Sequence, residues 1–434
     1  MRKRTIAFLL ICIWITGLLA GCSSSEQQNK ETDTKPVSYK GLMEQWKQSA
    51  VEDNLTCWYT GNEDKAWLEA EAEKFEKEYS VKVNLVYYDG VSFFDDMNQA
   101  NQKGNGPDVY LMGNDQLELA RNSGMAEENT WLDEAFWKEN YPAVAKDAVT
   151  YQDSQYGYPV YFDTYCLVYD ANLLENAPAS IDDILTFLDA YEDTGSTKAV
   201  FRWDVADPYI NSMFIASYAN LFGEKGDSAS EFKVNDEKSI AAMEYFQSLS
   251  AYLWMDKSNI SHDTVMNRIK DGTLVLGLCK SDILPTLYEM QSTEQKTEEG
   301  EEDKDVTNYQ VSYVPSLTEE LSSTTFSTTY GAFINPYGKD TALGNMFALY
   351  LSYGCAKDQY SGNGKLPVIN QKESFDAMQE VIYAQYLNSK PIPKVMVLGD
   401  YLTESGIAFD AIWDGKDAKE QLDWLQNTME QKIK

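Results

Sequence analysis

The chain has 434 residues with 36 basic and 69 acidic side chains, and its formal net charge of −33 argues against binding to a phosphate backbone. A content of 43% hydrophobic and 13% aromatic residues is that of a globular protein and excludes global disorder. A single histidine excludes multi-histidine metal sites and an H-E-x-x-H zinc motif, and the length allows about two to three domains.

The N-terminus has the pattern of a secretory signal. Basic residues 2–4 precede an apolar run that is shorter than the ~20 residues of a membrane-spanning helix. Leu19-Ala20-Gly21-Cys22 resembles the bacterial lipobox, and this resemblance implies cleavage before Cys22 and attachment of diacylglycerol to its sulfur. We therefore expect a lipoprotein signal peptide at 1–21, then a lipidated cysteine and flexible tether at 22–49. An uncleaved signal anchor is the alternative.

The remaining cysteines show no redox or zinc motif. Cys12 lies in the signal, and Cys57, Cys166, Cys279 and Cys355 are each more than 70 residues from the next. We expect these four to be small buried hydrophobic side chains, with disulfides as the alternative.

The first part of the chain predicts alternating strands and helices. Residues 55–59 are a short apolar strand, and 65–79 have one apolar helical face, formed by Leu68, Ala72, Phe75 and Tyr79. Residues 81–86 alternate as a strand, so the three elements form a right-handed β-α-β unit. A helix at 92–102 and a strand at 108–112 continue the alternation. The first domain is therefore expected to be α/β.

The later chain is more helical. The run 160–169 is too long and too often interrupted by polar groups to be one buried strand, so we expect it to cross between domains. Helical patterns dominate from 181 to about 271, and the apolar run 271–279 predicts a buried strand. Residues 291–305 contain seven acids and two lysines and predict a solvated insertion. Further strands at 309–315 and 331–335 precede a largely helical C-terminus.

Several segments in order along the chain resemble one family, the extracellular solute-binding proteins. These are the lipid-anchored receptors of ABC importers, and the similarity is greatest to the maltose-binding-like sugar group. The segments are Phe75–Val83 (FEKEYSVKV), Gly106–Tyr110 (GPDVY), Gln116–Glu127 (ending in NSGMAE), Tyr156–Val160 (YGYPV), Leu167–Leu173 (LVYDANL) and Asn308–Val311 (NYQV). Their order and spacing together carry the resemblance.

The resemblance implies a two-lobed, periplasmic-binding-protein-like α/β fold, with strand crossovers at the hinge and one ligand in the cleft. The crossovers would lie near 161–165, 271–277 and 331–336. The N-terminal lobe would comprise 50–161 plus 273–332, and the C-terminal lobe 162–272 plus 333–434. Open α/β sheets bind ligands beyond the carboxyl ends of their strands, which independently places the polar turns 60–64 and 113–116 in the cleft.

A sugar presents apolar faces and hydroxyl groups, so its site needs aromatic rings and planar polar side chains. Matched to the family by position, the candidate ligand-binding residues are Asn62, Glu63, Asp64, Asn114, Asp115, Asp163, Trp203, Tyr209 and Tyr401. Alternative roles stay open: the acids of the first turn suit a helix N-cap, the second pair suits a turn, and each ring suits the core. Asp163 is harder to explain without a role in binding, because a lone carboxylate in an apolar run needs a partner.

The chain departs from the family pattern after the predicted strand 271–279. Where the maltose-binding pattern has Gly-Pro-Trp, this chain has Cys279-Lys280-Ser281, which removes one expected stacking ring. Lys280 becomes a further candidate to meet an acidic or hydroxylated ligand, with a solvated lysine as the alternative.

The resemblance implies a lipid-anchored substrate-binding subunit on the outer face of the cell membrane. It would be a monomer that captures a sugar or oligosaccharide for the permease subunits, with no cofactor, metal or nucleic acid. A polyamine receptor is the main alternative, since carboxylates and rings also suit a linear cation. A surface solute sensor and a secreted glycosidase are further alternatives. No G-x-S-x-G, P-loop, G-x-G-x-x-G or H-E-x-x-H motif occurs, which argues against an enzyme.

Overall fold

The computed structural model describes residues 38–90, 92–192, 198–294, 308–370 and 375–434. The expected signal peptide 1–21, Cys22 and the tether as far as residue 37 lie outside this range, as does most of the expected insertion 291–305. Among the helices in these ranges, none combines the length and apolar character that a membrane span requires.

The secondary structure is mixed α/β, as predicted. The strands are β1 (Asn54–Tyr59), β2 (Lys82–Tyr87), β3 (Val109–Gly113), β4 (Thr150–Tyr151), β5 (Ser154–Gln155), β6 (Gly157–Asp170), β7 (Ala199–Arg202), β8 (Leu274–Lys280), β9 (Tyr309–Ser312), β10 (Phe326–Ile334), β11 (Leu366–Pro367) and β12 (Lys390–Pro391). The helices are α1 (Tyr39–Ser49), α2 (Lys65–Tyr79), α3 (Phe93–Gln102), α4 (Leu117–Asn122), α5 (Glu134–Asn140), α6 (Ala143–Ala148), α7 (Ile181–Ala190), α8 (Pro208–Asn211), α9 (Glu237–Tyr252), α10 (His262–Lys270), α11 (Leu284–Glu294), α12 (Thr341–Leu349), α13 (Gln359–Asn363), α14 (Ala377–Leu387), α15 (Leu398–Trp413) and α16 (Ala418–Ile433). The main sheet has the strand order β2-β1-β3-β10-β6-β8-β7.

The predicted β-α-β unit at the start of the sheet is confirmed. β1 pairs in parallel with β2 on one side and β3 on the other. α2 covers this part of the sheet with an apolar face whose residues Leu68 and Phe75 are fully buried. The helix ends at Tyr79 and is followed by Ser80, which adopts a left-handed conformation with φ 55°. The local period of the sequence was therefore sufficient to predict this unit.

β6 joins the two halves of the sheet. Its first half, as far as Thr164, pairs with β10, and its second half pairs with β8 and β9. The expected crossing is confirmed, but the expectation that 160–169 is not one buried strand is wrong. A long strand is stable here because its partners change midway. Its first half is buried in the first core, and the side chains of its second half alternate between the two cores, with Cys166 and Val168 in the first and Tyr165 and Leu167 in the second.

Two clusters of buried side chains define two lobes. The first cluster contains α1, α2, β1 to β3 and the first half of β6, and the second contains β7, α9, α15 and α16. β8 contributes to both clusters, so the cores meet at this strand. We call the two bodies the first lobe and the second lobe.

The predicted lobe boundaries need correction. After β10 pairs with β3, α12 and α14 bury Phe347 and Tyr386 in the first core, whereas the sequence placed 333–434 entirely in the other lobe. Conversely, 273–332 does not lie wholly in the first lobe, because Leu276, Leu317 and Phe326 are buried in the second core. The chain returns to the second lobe only after β12.

The expected tether is shorter than predicted. Its last part forms α1, capped by Ser38, whose hydroxyl accepts a hydrogen bond from the Gly41 amide. α1 buries Leu42, Met43 and Trp46 in the first core. Regular structure therefore begins before residue 49, because one face of this polar segment carries enough apolar surface to pack.

The four cysteines within the described ranges are buried with free thiols: Cys57, Cys166, Cys279 and Cys355. Cys166 and Cys279 lie opposite each other on β6 and β8. Burial raises the pKa of all four thiols, so these side chains act as small hydrophobic groups.

Candidate functional site

A floor of polar and aromatic side chains lies where β6 and β10 pass between the lobes. Tyr161, Asp163 and Tyr165 are alternate residues of β6, so their side chains leave the same face of the strand. On β10, Tyr330 lies opposite Tyr161, and Thr328 lies opposite Asp163. The rings of Tyr161 and Tyr330 are stacked with their centroids 4.8 Å apart. We call these five residues the cleft floor.

Asp64 lies at the first-lobe edge of the cleft floor and is almost fully buried. Its carboxylate accepts a 2.5 Å hydrogen bond from the Tyr161 hydroxyl and a 2.8 Å bond from Asn363 Nδ2. Burial raises the pKa of this carboxyl, and the two hydrogen bonds oppose that shift. Asp64 makes no capping bond to α2, which removes the N-cap alternative for this side chain.

The neighbours of Asp64 complete the first polar turn. Asn62 and Glu63 are exposed in the 3-10 turn between β1 and α2. A β-carbon at Gly61 would lie 2.7 Å from Asp64 Oδ2, so a larger residue here would displace the Asp64 carboxylate. The turn therefore presents the Glu63 carboxylate to solvent at the carboxyl end of β1, as the sequence predicted.

Asp163 has the partner that its place in an apolar strand requires. Lys365 Nζ lies 3.1 and 3.2 Å from its two carboxylate oxygens, and Ser281 Oγ donates a 3.1 Å hydrogen bond. Burial alone would lower the pKa of Lys365, but the charge of Asp163 reverses this effect and raises it. The ion pair is partly exposed, with 15% of the Lys365 side chain and 19% of the Asp163 side chain accessible to solvent.

The second lobe contributes Tyr209 and Lys280 to the same region. The Tyr209 hydroxyl is 3.2 Å from Thr328 Oγ1, and its ring centroid is 5.7 Å from that of Tyr165. Lys280 Nζ lies 5.9 Å from the Tyr165 ring and 6.0 Å from the Tyr209 ring, within reach of a cation–π contact. The structure thus brings both sequence-predicted residues to the cleft floor.

A cavity of about 520 Å³ opens beside Tyr330 on the first-lobe side. Its walls include Phe93 and Phe94 at the start of α3, together with Asp95 and Asp115. This volume is in the usual range for small-molecule sites, about 300–1,000 Å³. Burial raises the pKa of Asp115, and a 2.7 Å hydrogen bond from Gln116 Nε2 partly opposes the shift. The cavity extends the cleft floor with aromatic and acidic groups.

Comparison with known proteins agrees with this architecture. Residues 70–360, about two thirds of the chain, match the family model described as bacterial extracellular solute-binding protein. The chain belongs to this family. Its members bind solutes, and the resemblance that the sequence implied is confirmed.

Relatives of this solute-binding protein have low sequence identity but cover most of its length. A maltooligosaccharide ABC transporter solute-binding lipoprotein of Streptococcus pneumoniae strain R6 is 23% identical, over 85% of this chain and 87% of the relative. The maltodextrin-binding protein MdxE of Bacillus subtilis strain 168 is 21% identical, over 100% of this chain and 98% of the relative. A Staphylococcus aureus extracellular solute-binding protein, solved in complex with maltose, superposes with a TM-score of 0.74 at 19% identity. That alignment covers 88% of this chain and 98% of the other, and it confirms the two-lobed fold.

Three candidate residues of this solute-binding protein do not reach the cleft. Trp203 and Tyr401 are fully buried in the second core, where Trp203 Nε1 donates to Asn211 Oδ1 and the Tyr401 hydroxyl contacts Ser212 Oγ. A ring without exposed surface cannot stack on a ligand, so the expectation that they bind it needs correction. The alternative reading, a role in the core, applies to both.

Asn114 is the third of these residues. It is fully buried, with Nδ2 donating to the Ile392 carbonyl and Oδ1 accepting from the Thr329 amide. Both ends of its amide group are therefore used to tie the second polar turn to β10 and to the segment after β12. The structure assigns Asn114 to holding the turn, while its neighbour Asp115 faces the cavity.

Sequence reasoning missed two parts of the site. Tyr161 and Tyr165 could have been found, because they alternate with Asp163 along one strand. Lys365 and Asn363 had no local signal, since they lie 202 and 299 residues from the carboxylates that they contact. In the part of the chain that the structure describes, no group of three or more potential metal-ligating side chains occurs.

Proposed function

We propose that this protein is the lipid-anchored substrate-binding subunit of an ABC importer and captures a sugar or oligosaccharide in the cleft between its lobes. The cleft floor carries the proposal. The ring of Tyr330 is partly exposed and stacks on the buried ring of Tyr161, and the partly exposed carboxylate of Asp163 stands beside it as a hydrogen-bond acceptor. An aromatic face for a sugar ring next to carboxylates for its hydroxyls is the combination that carbohydrates need.

The relatives support the same ligand class, since their names refer to maltooligosaccharides and maltodextrins and the solved structure contains maltose. We propose a carbohydrate rather than one particular sugar. This chain has Cys279-Lys280-Ser281 where the maltose-binding pattern has Gly-Pro-Trp, so the expected ring is missing, and the ammonium group of Lys280 lies over two tyrosine rings. A ligand at this end of the cleft would meet a cation instead of a third ring.

Capture would use both lobes. The cleft floor lies on the strands that connect them, Glu63 and Asp115 come from the first lobe, and Tyr209 and Lys280 come from the second. A solute that contacts both sets of residues binds the closed form more tightly than the open form. This difference in affinity stabilises the closed form. We propose that the closed form is what the permease subunits recognise, and that the protein acts as a monomer without a cofactor or catalytic step.

The ligand class can be tested by a thermal-shift and calorimetric screen of the mature chain, produced without lipid from residue 23. A solute that binds only the native state raises the melting temperature. We expect a shift with maltooligosaccharides or another oligosaccharide and none with amino acids. No response to any saccharide would contradict the proposal.

A polyamine receptor is the second candidate, because the 520 Å³ cavity is lined by Asp95 and Asp115 but by no basic side chain. Two carboxylates beside phenylalanine rings also suit a linear cation. Spermidine belongs in the same screen for this reason. A shift with spermidine and none with saccharides would favour the polyamine receptor.

The lipid anchor is proposed from the sequence around Cys22. We expect Cys22→Ser to prevent both lipid attachment and cleavage before residue 22, so that the protein incorporates no labelled palmitate and keeps its apolar signal. The measurement is palmitate labelling of cells with an immunoblot, and Ser23→Ala is the matched control that should be labelled and shortened. If the natural chain were unlabelled and as long as the Cys22→Ser chain, an uncleaved signal anchor would be the better explanation.

A further inference from the structure

A second cavity, of about 200 Å³, lies on the second lobe outside the cleft residues described above. It is formed where β7 ends, where the loop after α9 turns, and along α10. Arg202 is the last residue of β7, Arg268 lies on α10, and both line this cavity together with Trp254. We call it the arginine cavity.

The two guanidinium groups of the arginine cavity have no acidic partner within the described ranges. Every ion pair there uses a lysine or the histidine as its cation. Arg202 donates one 2.7 Å bond to the Phe201 carbonyl, which leaves most of its donors unused. In a chain with 69 acidic and 36 basic residues, two adjacent arginines without a carboxylate are unexpected.

The two like charges also affect each other. Burial, and then the positive charge of Arg268, lower the pKa of the Arg202 guanidinium. Two neighbouring cations repel, and a partly buried one has lost some of its hydration. An anion placed between them would offset both costs.

The only carboxylate that lines the arginine cavity is used by its own loop. Asp256 accepts hydrogen bonds of 3.0 Å from the Ser258 amide and 2.7 Å from the Ser258 hydroxyl, and a further bond from Asn259 Nδ2. The next residue, Lys257, pairs with Asp410 and Asp414 of α15 and its C-terminus. The loop therefore satisfies its own charges and leaves the arginine pair without a partner.

Trp254 gives the arginine cavity an apolar wall that nothing covers. It is 94% exposed, the largest value among the exposed large hydrophobic residues of the described ranges. Removing an indole surface from water is favourable, and an exposed ring gains this free energy only when a ligand covers it. Guanidinium groups bind carboxylate and phosphate oxygens in a bidentate way, and an indole packs against the apolar face of a ring.

We propose that the arginine cavity binds the carboxylate or phosphate group of a small ring compound, with Arg202 and Arg268 holding the oxyanion and Trp254 covering the ring. Both kinds of ligand carry an oxyanion on a ring: the carboxylate is planar and the phosphate is tetrahedral. This site is separate from the cleft floor and does not depend on the proposed sugar capture.

The test is isothermal titration of the mature chain with inorganic phosphate, glucose 6-phosphate, glucuronate and neutral glucose. We expect binding of at least one anionic probe at millimolar concentration, weakened by added salt. Preference for the phosphate probes or for glucuronate identifies which oxyanion the site takes.

Arg268→Gln removes an exposed side chain, and we expect it to weaken binding of the preferred anion at least tenfold without a change in melting temperature. Arg202→Gln should have the same effect on binding, and Trp254→Ala should weaken the ring compounds but not inorganic phosphate.

Arg121→Gln is the matched control, because it removes an arginine that contacts the Tyr151 ring at 5.4 Å, away from the arginine cavity. It should leave binding of the anions unchanged. The proposal is overturned if no anionic probe binds at millimolar concentration, or if Arg268→Gln binds as tightly as the natural chain. A folded Arg268→Gln protein keeps the test decisive even if Arg202→Gln is unstable.

Discussion

Asp163→Asn is expected to weaken binding of the ligand by more than tenfold, or about 1.4 kcal/mol. Asp163 is the charged member of the cleft floor, and its partly exposed carboxylate pairs with Lys365 and accepts a hydrogen bond from Ser281. The amide is nearly isosteric, but it has one acceptor oxygen in place of two and no charge. Its hydrogen bonds to a ligand hydroxyl are therefore weaker, and Lys365 loses the charge that orients it.

The measurement is calorimetric titration with the saccharide found in the thermal-shift screen. Asp170→Asn is the matched control, since Asp170 lies on the same strand and pairs with a lysine, Lys198, at 2.9 Å. Asp170 is buried at the far end of β6, so its substitution should lower the free energy of unfolding and leave the affinity of the folded protein unchanged. An unchanged affinity in Asp163→Asn would remove Asp163 from the ligand site.

Local patterns in the sequence predicted the elements that present the site. The strand before residue 60, the helix that starts at Lys65 and the strand that ends at Gly113 follow from periods of two and 3.6 residues. These elements place Glu63, Asp64 and Asp115 at the carboxyl ends of parallel strands. The general position of the site therefore follows from short-range patterns and a topological rule.

The sequence did not reveal which side chains are free to bind. Trp203 and Tyr209 are six residues apart, yet one is enclosed by the second core and the other contacts Thr328 at the cleft floor. The difference depends on packing by α15, which lies nearly 200 residues further along the chain. The lobe assignment of α12 and α14 failed for the same reason, because their apolar faces fit either core until the path of β10 is known.

The crossing from the first lobe into the second is marked by a buried lysine. Lys394 has no exposed surface, and its Nζ donates 2.7 Å hydrogen bonds to the carbonyls of Asp147 in α6 and Lys225 in the second lobe. Neutral carbonyl oxygens stabilise its charge less than water does. Burial therefore lowers the pKa of Lys394 to about 8, although the charges of Asp227 and Asp147 oppose the shift.

We expect this lysine to make the folded state more stable as the pH rises from about 8 to 10. In that range the unfolded chain keeps the proton on residue 394, because an ordinary lysine has a pKa of about 10.4, while the folded chain releases it. Stability increases with pH wherever the unfolded state binds more protons. Because one pKa unit corresponds to about 1.4 kcal/mol, the gain approaches about 3 kcal/mol once both states have lost the proton.

Lys394→Met should abolish this pH-dependent gain, because a thioether side chain of similar length fills the site without titrating. The free energy of unfolding of both chains is measured by urea unfolding, followed by tryptophan fluorescence, between about pH 7.5 and 10. The tyrosines titrate in both chains, so their contribution cancels in the difference between the two free energies. Lys82→Met, which removes an exposed lysine of β2, should keep the natural pH profile. If the Lys394→Met profile ran parallel to the natural one, the ammonium group of Lys394 would have to be as well stabilised between the lobes as it is in water.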